Sequence, residues 1–243
     1  PETARTWSAG VDLRPLFAPG LTASVTYYDI KYDDVIGAPS GLGSLLFSDP
    51  TFATRVIRDP GAAQVSDAIT NTVPFYFTFD AVPQIGNILD LRQGNFGVRK
   101  TSGIDFDLRY RREVGFGTLF GGVAGNYILD YSNRLSPTSP ESNSLEAGIP
   151  RATLRTTLGI AAGPVTFVNF VNHRSGVTAS YATPTGSALY EAKGYTTVDL
   201  RPSLTLPQES FLEGTELGLQ INDLFDVTPP YFPGTDGLGG AYN

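Results

Sequence analysis

The stretch Val98–Arg111, VRKTSGIDFDLRYR, decides how the rest of the chain is read. From Ser102 onward it alternates. Ile104, Phe106, Leu108 and Tyr110 fall on one side, and Asp105, Asp107, Arg109 and Arg111 on the other. A strand has a side-chain period of two, so one face is apolar and the opposite face fully charged. A soluble sheet packs its apolar face on a core and spreads mixed polar residues outside. An uninterrupted ladder of charge opposite a charge-free apolar face fits hydrocarbon on one side and an enclosed wet space on the other.

The same alternation recurs along the chain. In Arg5–Arg14, Trp7, Ala9, Val11 and Leu13 oppose Ser8, Gly10, Asp12 and Arg14. Leu21–Ile36 follows, with an apparent slip of phase at Tyr27-Tyr28 that a bulge or emergence from the membrane would produce. Thr118–Tyr131, Arg151–Ala162, Val165–Arg174, Tyr195–Leu206 and Glu216–Asn222 complete a set of about eight antiparallel strands. Val165–Arg174 carries apolar residues on both phases, so its facing stays open. Ile85–Leu91 reads as the top of the strand that continues through Val98.

Connections alternate in length. Pro15–Gly20, Arg112–Gly117, Ala162–Pro164 and Pro207–Gly214 are short. Gly37–Arg92, Ser132–Pro150, Ser175–Ala192 and Phe225 onward are long. Short turns at one end and long loops at the other are the habit of outer-membrane barrels. The strands run to about ten to fourteen residues, above the globular mode and sufficient for a tilted strand to cross a bilayer. Trp7, Tyr27, Tyr28, Tyr32, Tyr127, Tyr131 and Tyr195 fall near the long-loop ends, where an interfacial aromatic girdle belongs. The 37–92 segment is too long for a structureless loop. Asp49-Pro50 and Asp59-Pro60 read as caps followed by proline, the second opening a helix over Pro60–Thr70.

Composition narrows the function. Charged residues are 17% of the 243, with 27 Gly, 18 Pro and 12% aromatics, a mix suited to long strands and tight turns. A net charge of -7 without a basic cluster argues against a nucleic-acid partner. No Cys and one His remove disulfide frameworks, thiolate metal sites and paired-His zinc motifs. No run of about eighteen apolar residues exists, so no transmembrane helix is expected. With no Met, the chain is read as a piece of a longer protein.

Four segments, in order, resemble TonB-dependent outer-membrane receptors. PETARTWSAGVDLRP at the start is similar to their "PE-(T/S)" entry, and Tyr27-Tyr28-Asp29-Ile30 with Val35-Ile36 to the strand after it. Thr101-Ser102-Gly103-Ile104-Asp105 resembles the (S/T)-x-G-(I/V/L)-(D/E) strand entry. Gln220–Asp226, followed by Pro229-Pro230, resembles the late N-L-F-D motif with Asp223 as an extra residue. The resemblance implies an all-β fold: eight strands of a larger, twenty-two-stranded transmembrane β-barrel in the outer membrane of a Gram-negative bacterium. It also implies a plug domain, a TonB box and a last strand lying outside these residues. Implied partners are outer-membrane lipid, the plug and remaining strands, the TonB complex acting through the plug, and a small-molecule or oligosaccharide ligand.

No catalytic group, cofactor or metal site is proposed. No nucleophile–base pair can be built with one His, and Asp105 and Asp107 sit beside arginines that keep both ionised. Asp105, Asp107, Arg109, Arg111, Arg151, Arg155, Asp199 and Arg201 are expected to face the lumen, either as an ion-pair network or as a path for anionic ligands. Phe75, Tyr76, Phe77 and Phe79, with Tyr231 and Phe232, read either as loop packing or as an extracellular ligand mouth. Active uptake of a scarce nutrient leads the functional reading, ferric siderophore ahead of oligosaccharide. A passive porin lacks a plug, and a soluble β-sandwich would extract without detergent.

Overall fold

A computed structural model describes residues 1–39, 44–71, 85–183, 186–206, 211–212, 214–232 and 240–241. In chain order the strands are β1 (Thr3–Leu13) and β2 (Leu21–Gly37), then helix α1 (Leu45–Ser48), β3 (Val56–Arg58), helix α2 (Ala62–Asn71) and β4 (Asn87–Leu89). The long strands β5 (Gly94–Val114) and β6 (Gly117–Arg134) follow, with the short β7 (Ser142–Asn143) after them. β8 (Ala152–Ala162), β9 (Val165–Arg174), β10 (Val177–Thr183), β11 (Gly186–Ala192), β12 (Tyr195–Thr205), β13 (Glu216–Gly218), β14 (Tyr231–Phe232) and β15 (Gly240–Ala241) complete the list.

One sheet runs β1-β2-β5-β6-β8-β9-β12-β13, with β7 added beside β6. Its path is the meander expected from the alternating segments, eight strands in chain order. The β6–β8, β8–β9, β9–β12 and β12–β13 pairs are antiparallel. The 37–92 and 175–192 segments carry their own small sheets, β3–β4 and β10–β11.

The chain divides into two compact units. The first holds Pro1–Ala4, Lys31–Arg99 and Asn133–Ser142; the second holds Arg5–Ile30, Lys100–Ser132 and Asn143–Asn243. The first has a dry cluster of Leu46, Phe52 and Phe96, with Val56 against it. The Phe52 and Phe96 rings meet edge to face at 5.0 Å. The second unit has a dry cluster at Val177 and Ala192, under Tyr190 and Tyr195. No buried apolar side chain lies within Lys100–Ser132 or Ala152–Arg174 among the described residues. A two-layer soluble sandwich would bury one face of those strands. Here Trp7, Val11, Leu13, Leu119, Leu129, Leu158 and Phe167 stand open on the sheet. A contiguous apolar surface of this size marks an interface with something other than water.

Register fixes the two faces. Leu119, Val123 and Tyr127 pair with Ile160, Thr156 and Ala152, while Ala124 and Asn126 pair with Arg155 and Thr153. The facing of β9, open from sequence, follows from its neighbours. Val165, Phe167 and Val171 oppose Ala162, Ile160 and Thr156 on the apolar face; Phe170, Asn172 and Arg174 oppose Thr157, Arg155 and Thr153 on the charged face.

Several local expectations need correction. No slip occurs at Tyr27-Tyr28. Tyr27 stays on the apolar face, its ring 5.0 Å from Trp7. Tyr28 stays on the charged face, because Gly103 leaves room for its phenol: a β-carbon there would overlap the hydroxyl and lie 2.8 Å from the Tyr127 carbonyl. Tyr195 pairs with Arg174 in the charged row, so it leaves the girdle. Asp59 does not cap a helix, since its φ of 47° is left-handed. α2 begins at Ala62 instead, with the Gly61 N–H donating to Gln64 Oε1 at 3.0 Å. Asp49 does cap: it accepts from Thr51 N–H at 2.9 Å and opens a 3₁₀ turn over Pro50–Arg55. Ile88 pairs with Ile57 across β3–β4, so Ile85–Leu91 is not the top of β5.

The extra residue in the Gln220–Asp226 motif becomes a bulge. Ile221 exchanges both backbone bonds with Leu200 at 2.8 and 2.9 Å, and the next bond joins Leu224 N–H to the Val198 carbonyl at 2.7 Å. Three residues on one strand therefore span two on the other. The surplus residue, Asp223, takes a φ of 47°, which Asp tolerates better than most side chains.

Candidate functional site

The second unit presents the charged face. On β5, Arg109 clamps Asp107 with both prongs, Nε to Oδ1 at 2.7 Å and Nη2 to Oδ2 at 2.8 Å. Arg111 approaches Glu113 at 3.5 Å. Asp105 meets no cation among the described residues. It accepts from Asn126 Nδ2 at 2.6 Å, and the same amide group donates to Tyr28 Oη at 3.1 Å. Asp199 is likewise held by neutral donors, Asn172 Nδ2 at 2.8 Å and the Asp223 N–H at 3.0 Å, so the carboxylate closes the bulge described above. Arg151 precedes β8 and turns away from these groups, donating to the Leu129 carbonyl at 3.1 Å.

Of the eight residues expected to face the lumen, Asp107 pairs with Arg109, and Arg111 with Glu113, among the described residues. Asp105 and Asp199 are satisfied by amides, leaving arginines over. Arg155, Arg174 and Arg201 meet no carboxylate among the described residues. Arg155 instead lies on the Phe170 ring, its guanidinium carbon 4.2 Å from the centroid. That cation–π contact fixes the head without neutralising it. Arg155, Arg174, Asn172, Asn126 and Asp105 line a recess of ≈ 640 Å³. Such a wall offers several donors and two free cations, so it favours carboxylate, phosphate or polar amide groups of whatever lies against it.

Arg174, Asn172 and Phe170 were missed by the alternation of β9 alone. The two-residue turn Gly163-Pro164 held the missing signal. It forces Ala162 opposite Val165, and that register puts every even-numbered β9 residue on the charged face.

The loop residues divide differently. Phe75, Tyr76, Phe77 and Phe79 lie outside the described residues. Phe232 follows Tyr231 in β14. The Tyr231 ring is exposed and meets Tyr190 of β11 edge-on at 6.2 Å. In the first unit, Asp49 is the hub. It is 8% exposed and accepts hydrogen bonds from Ser136 Oγ, Thr138 Oγ1 at 2.6 Å and Thr51 N–H. Burial pushes its carboxyl up, but the hydrogen bonds from Ser136, Thr138 and Thr51 outweigh that and bring it down to about 2. Asp90 is also held below the usual carboxylate range, chiefly by hydrogen bonds from Arg92, with Arg55 adding charge. His173 lies on the apolar face, its Nδ1 2.8 Å from Thr196 Oγ1. Among the described residues no cluster of three His, Cys, Asp or Glu could hold a metal.

Comparison with known proteins agrees with this geometry. The family described as "TonB dependent receptor-like, beta-barrel" matches residues 1–224. No curated protein matches the sequence. Among solved structures, the outer membrane transporter YddB from Escherichia coli superposes with a TM-score of 0.63 at 11% identity, covering 99% of this chain and 31% of that one. The ferric enterobactin receptor PfeA of Pseudomonas aeruginosa gives 0.59 at 18% identity, with 99% and 29% covered. FpvA of P. aeruginosa, bound to a heterologous pyoverdine, gives 0.54 at 14% identity, with 99% and 25% covered. At these identities the likeness is one of fold, and the chain spans about a quarter to a third of the structures it matches.

Proposed function

The chain belongs to the TonB-dependent receptor family, and from that premise we propose that it forms part of the wall and loop rim of an outer-membrane transporter for active uptake of a scarce nutrient. A ferric siderophore leads an oligosaccharide as the cargo, and no chemical conversion takes place. The 37–92 segment belongs to the extracellular side on this reading. A plug carried elsewhere in the protein sits against the charged face and couples to the TonB complex.

The observation that carries the proposal is the sheet itself. One face carries exposed apolar side chains with no buried apolar layer behind them among the described residues, and the other holds Arg155 and Arg174, which meet no carboxylate there, in a recess that Asp105 also lines. The siderophore preference leans on relatives whose names state their ligands, enterobactin for PfeA and pyoverdine for FpvA. The exposed Tyr231 ring, backed edge-on by the half-buried Tyr190, supplies flat apolar contact for an aromatic ligand.

Expression of the complete gene in a strain stripped of its siderophore receptors tests the reading. Growth on iron-limited medium with one siderophore of a panel, abolished by deletion of tonB, is the expected result. Ohmic ion conductance in planar bilayers, with solute uptake indifferent to tonB, would instead make the protein a porin.

A further inference from the structure

On the charged face β6 is nearly bald. Gly122 and Ala124 stand between the charged row of β5 and their register partners on β8, Thr157 and Arg155. A β-carbon at Gly122 would lie 2.7 Å from the Leu108 carbonyl and 3.4 Å from Arg109 Cγ, so β5 crowds close on that side. The bald strip is the floor of a trough with two recesses in line. One, of ≈ 640 Å³, is the recess lined by Arg155 and Arg174. The other, of ≈ 510 Å³, lies toward the short turns, because Gly20 of the β1–β2 connection lines it together with Arg109, Arg111 and Phe120. Arg155 and Ala124 border both. From Asn126 to Phe120 the trough runs about 20 Å along β6.

The acids beside the trough leave most of this positive charge available. Asp105 and Asp199 are held by the amides of Asn126 and Asn172, although both amides line the same recess as Arg155 and Arg174. Arg155 is seated on Phe170, so its head is positioned without being neutralised. On a chain of net charge -7, Arg109, Arg111, Arg155 and Arg174 outnumber Asp105, Asp107 and Glu113 here. A wet cleft with low-dielectric walls focuses such a field and concentrates ions of the opposite sign. We propose that the trough is a relay for a cargo of net negative charge, a ferric complex presenting carboxylate or catecholate oxygens, and that Arg155 sets the charge preference by passing the complex from one recess to the other. Guanidinium groups donate to paired anionic oxygens two bonds at a time. A neutral or cationic complex gains nothing from the field. The competing occupant is a carboxylate of the plug. The amides on Asp105 and Asp199 favour a mobile anion, since a wall built for permanent ion pairs would match its own carboxylates to its arginines first. The inference rests on the transporter reading above.

The complete protein is expressed in a strain without siderophore receptors of its own. Initial uptake of radioactive iron is followed for a trianionic ferric tris-catecholate, a neutral ferric trihydroxamate and a monocationic one. Wild type, Arg155→Gln and Arg155→Lys are compared, with cell-surface binding in a tonB deletion and heat-modifiable migration measured alongside. The expected result is uptake of the trianionic complex alone, lowered about tenfold by Arg155→Gln and largely restored by Arg155→Lys, with surface binding within about twofold of wild type. Comparable tonB-dependent uptake of the neutral or cationic complex overturns the relay, and so does an Arg155→Gln rate within about twofold of wild type. Earlier thermal loss of the folded band in Arg155→Gln, with uptake per folded receptor unchanged, means that the plug holds the partner of Arg155 and also overturns it. Absence of tonB-dependent uptake for all of the complexes sinks the transporter reading itself, and the relay with it.

Discussion

Replacing Asp49 by alanine should release the first unit's loops without disturbing the strands. The carboxylate gathers three donors: Ser136 Oγ, Thr138 Oγ1 at 2.6 Å and Thr51 N–H at 2.9 Å. Ser136 is fully buried, and its oxygen already accepts from Ser139 N–H at 3.0 Å, so without the carboxylate its proton is left with the Thr138 hydroxyl, 3.2 Å away. A hydrogen bond to a charged group contributes about 1.5–3 kcal/mol, and the three are not additive. A loss of about 3 kcal/mol is expected, roughly a hundredfold in the local opening equilibrium. Hydrogen exchange of the complete protein in detergent reads this directly. Amides of Thr51–Arg55 and Ser136–Ser139 should exchange about a hundredfold faster, with β8 and β9 unchanged. Rates at Thr51–Arg55 within about threefold of wild type, or an equal rise in β8 and β9, would refute the reasoning. The pH dependence has a definite sign. The folded carboxyl is lowered from 3.8 to about 2, so its contribution is complete above pH 3.8 and disappears as pH falls through 2. The shift corresponds to roughly 2 kcal/mol. Pepsin cleavage near Asp49 should therefore separate wild type from Asp49→Ala at pH 4 and cease to separate them at pH 2.

Other expectations concern the sheet and the rim. The nearest atoms a β-carbon at Gly159 would meet all belong to the Phe120 ring, whereas Gly103→Ala also meets the Tyr127 backbone carbonyl at 2.8 Å. Phe120→Ala should thus rescue Gly159→Ala, while Tyr28→Phe should not rescue Gly103→Ala; thermal loss of the fast-migrating folded band checks both, with single losses of about 1–3 kcal/mol. Asp223→Val places a β-branched residue at a φ of 47°, so it should cost about 2 kcal/mol by the same assay. Tyr231→Ala should weaken binding of the cognate ligand by about tenfold in equilibrium titration, in line with the worth of one aromatic contact. An unchanged affinity would remove the Tyr190–Tyr231 pair from the ligand rim.

The architecture was legible because alternation is a purely local signal. Ile104 to Arg111 announces both faces of β5 by itself, and the length of each connection orders the strands. What stayed hidden depends on partners distant in sequence. Tyr28 looked out of phase because its place on the wet face is granted by Gly103, far along the chain. The β10–β11 hairpin passed for a polar loop, since Val177, Ala179 and Ala192 are the few side chains it buries among the described residues. Asp105 and Asp199 looked like halves of ion pairs because the amides that hold them, Asn126 and Asn172, sit on other strands. Asp49 showed its role as a cap, which needs two residues, and concealed its hold on Ser136, which needs eighty-seven.

The dry clusters lie at Leu46, Phe52 and Phe96, where β5 begins, and at Val177 and Ala192 of the β10–β11 hairpin, and among the described residues Lys100–Ser132 and Ala152–Arg174 add no buried apolar side chain. Urea acts by solvating what folding had hidden from water. Its denaturation curve for this protein would therefore chart the loops, while the strands would answer to the choice of detergent.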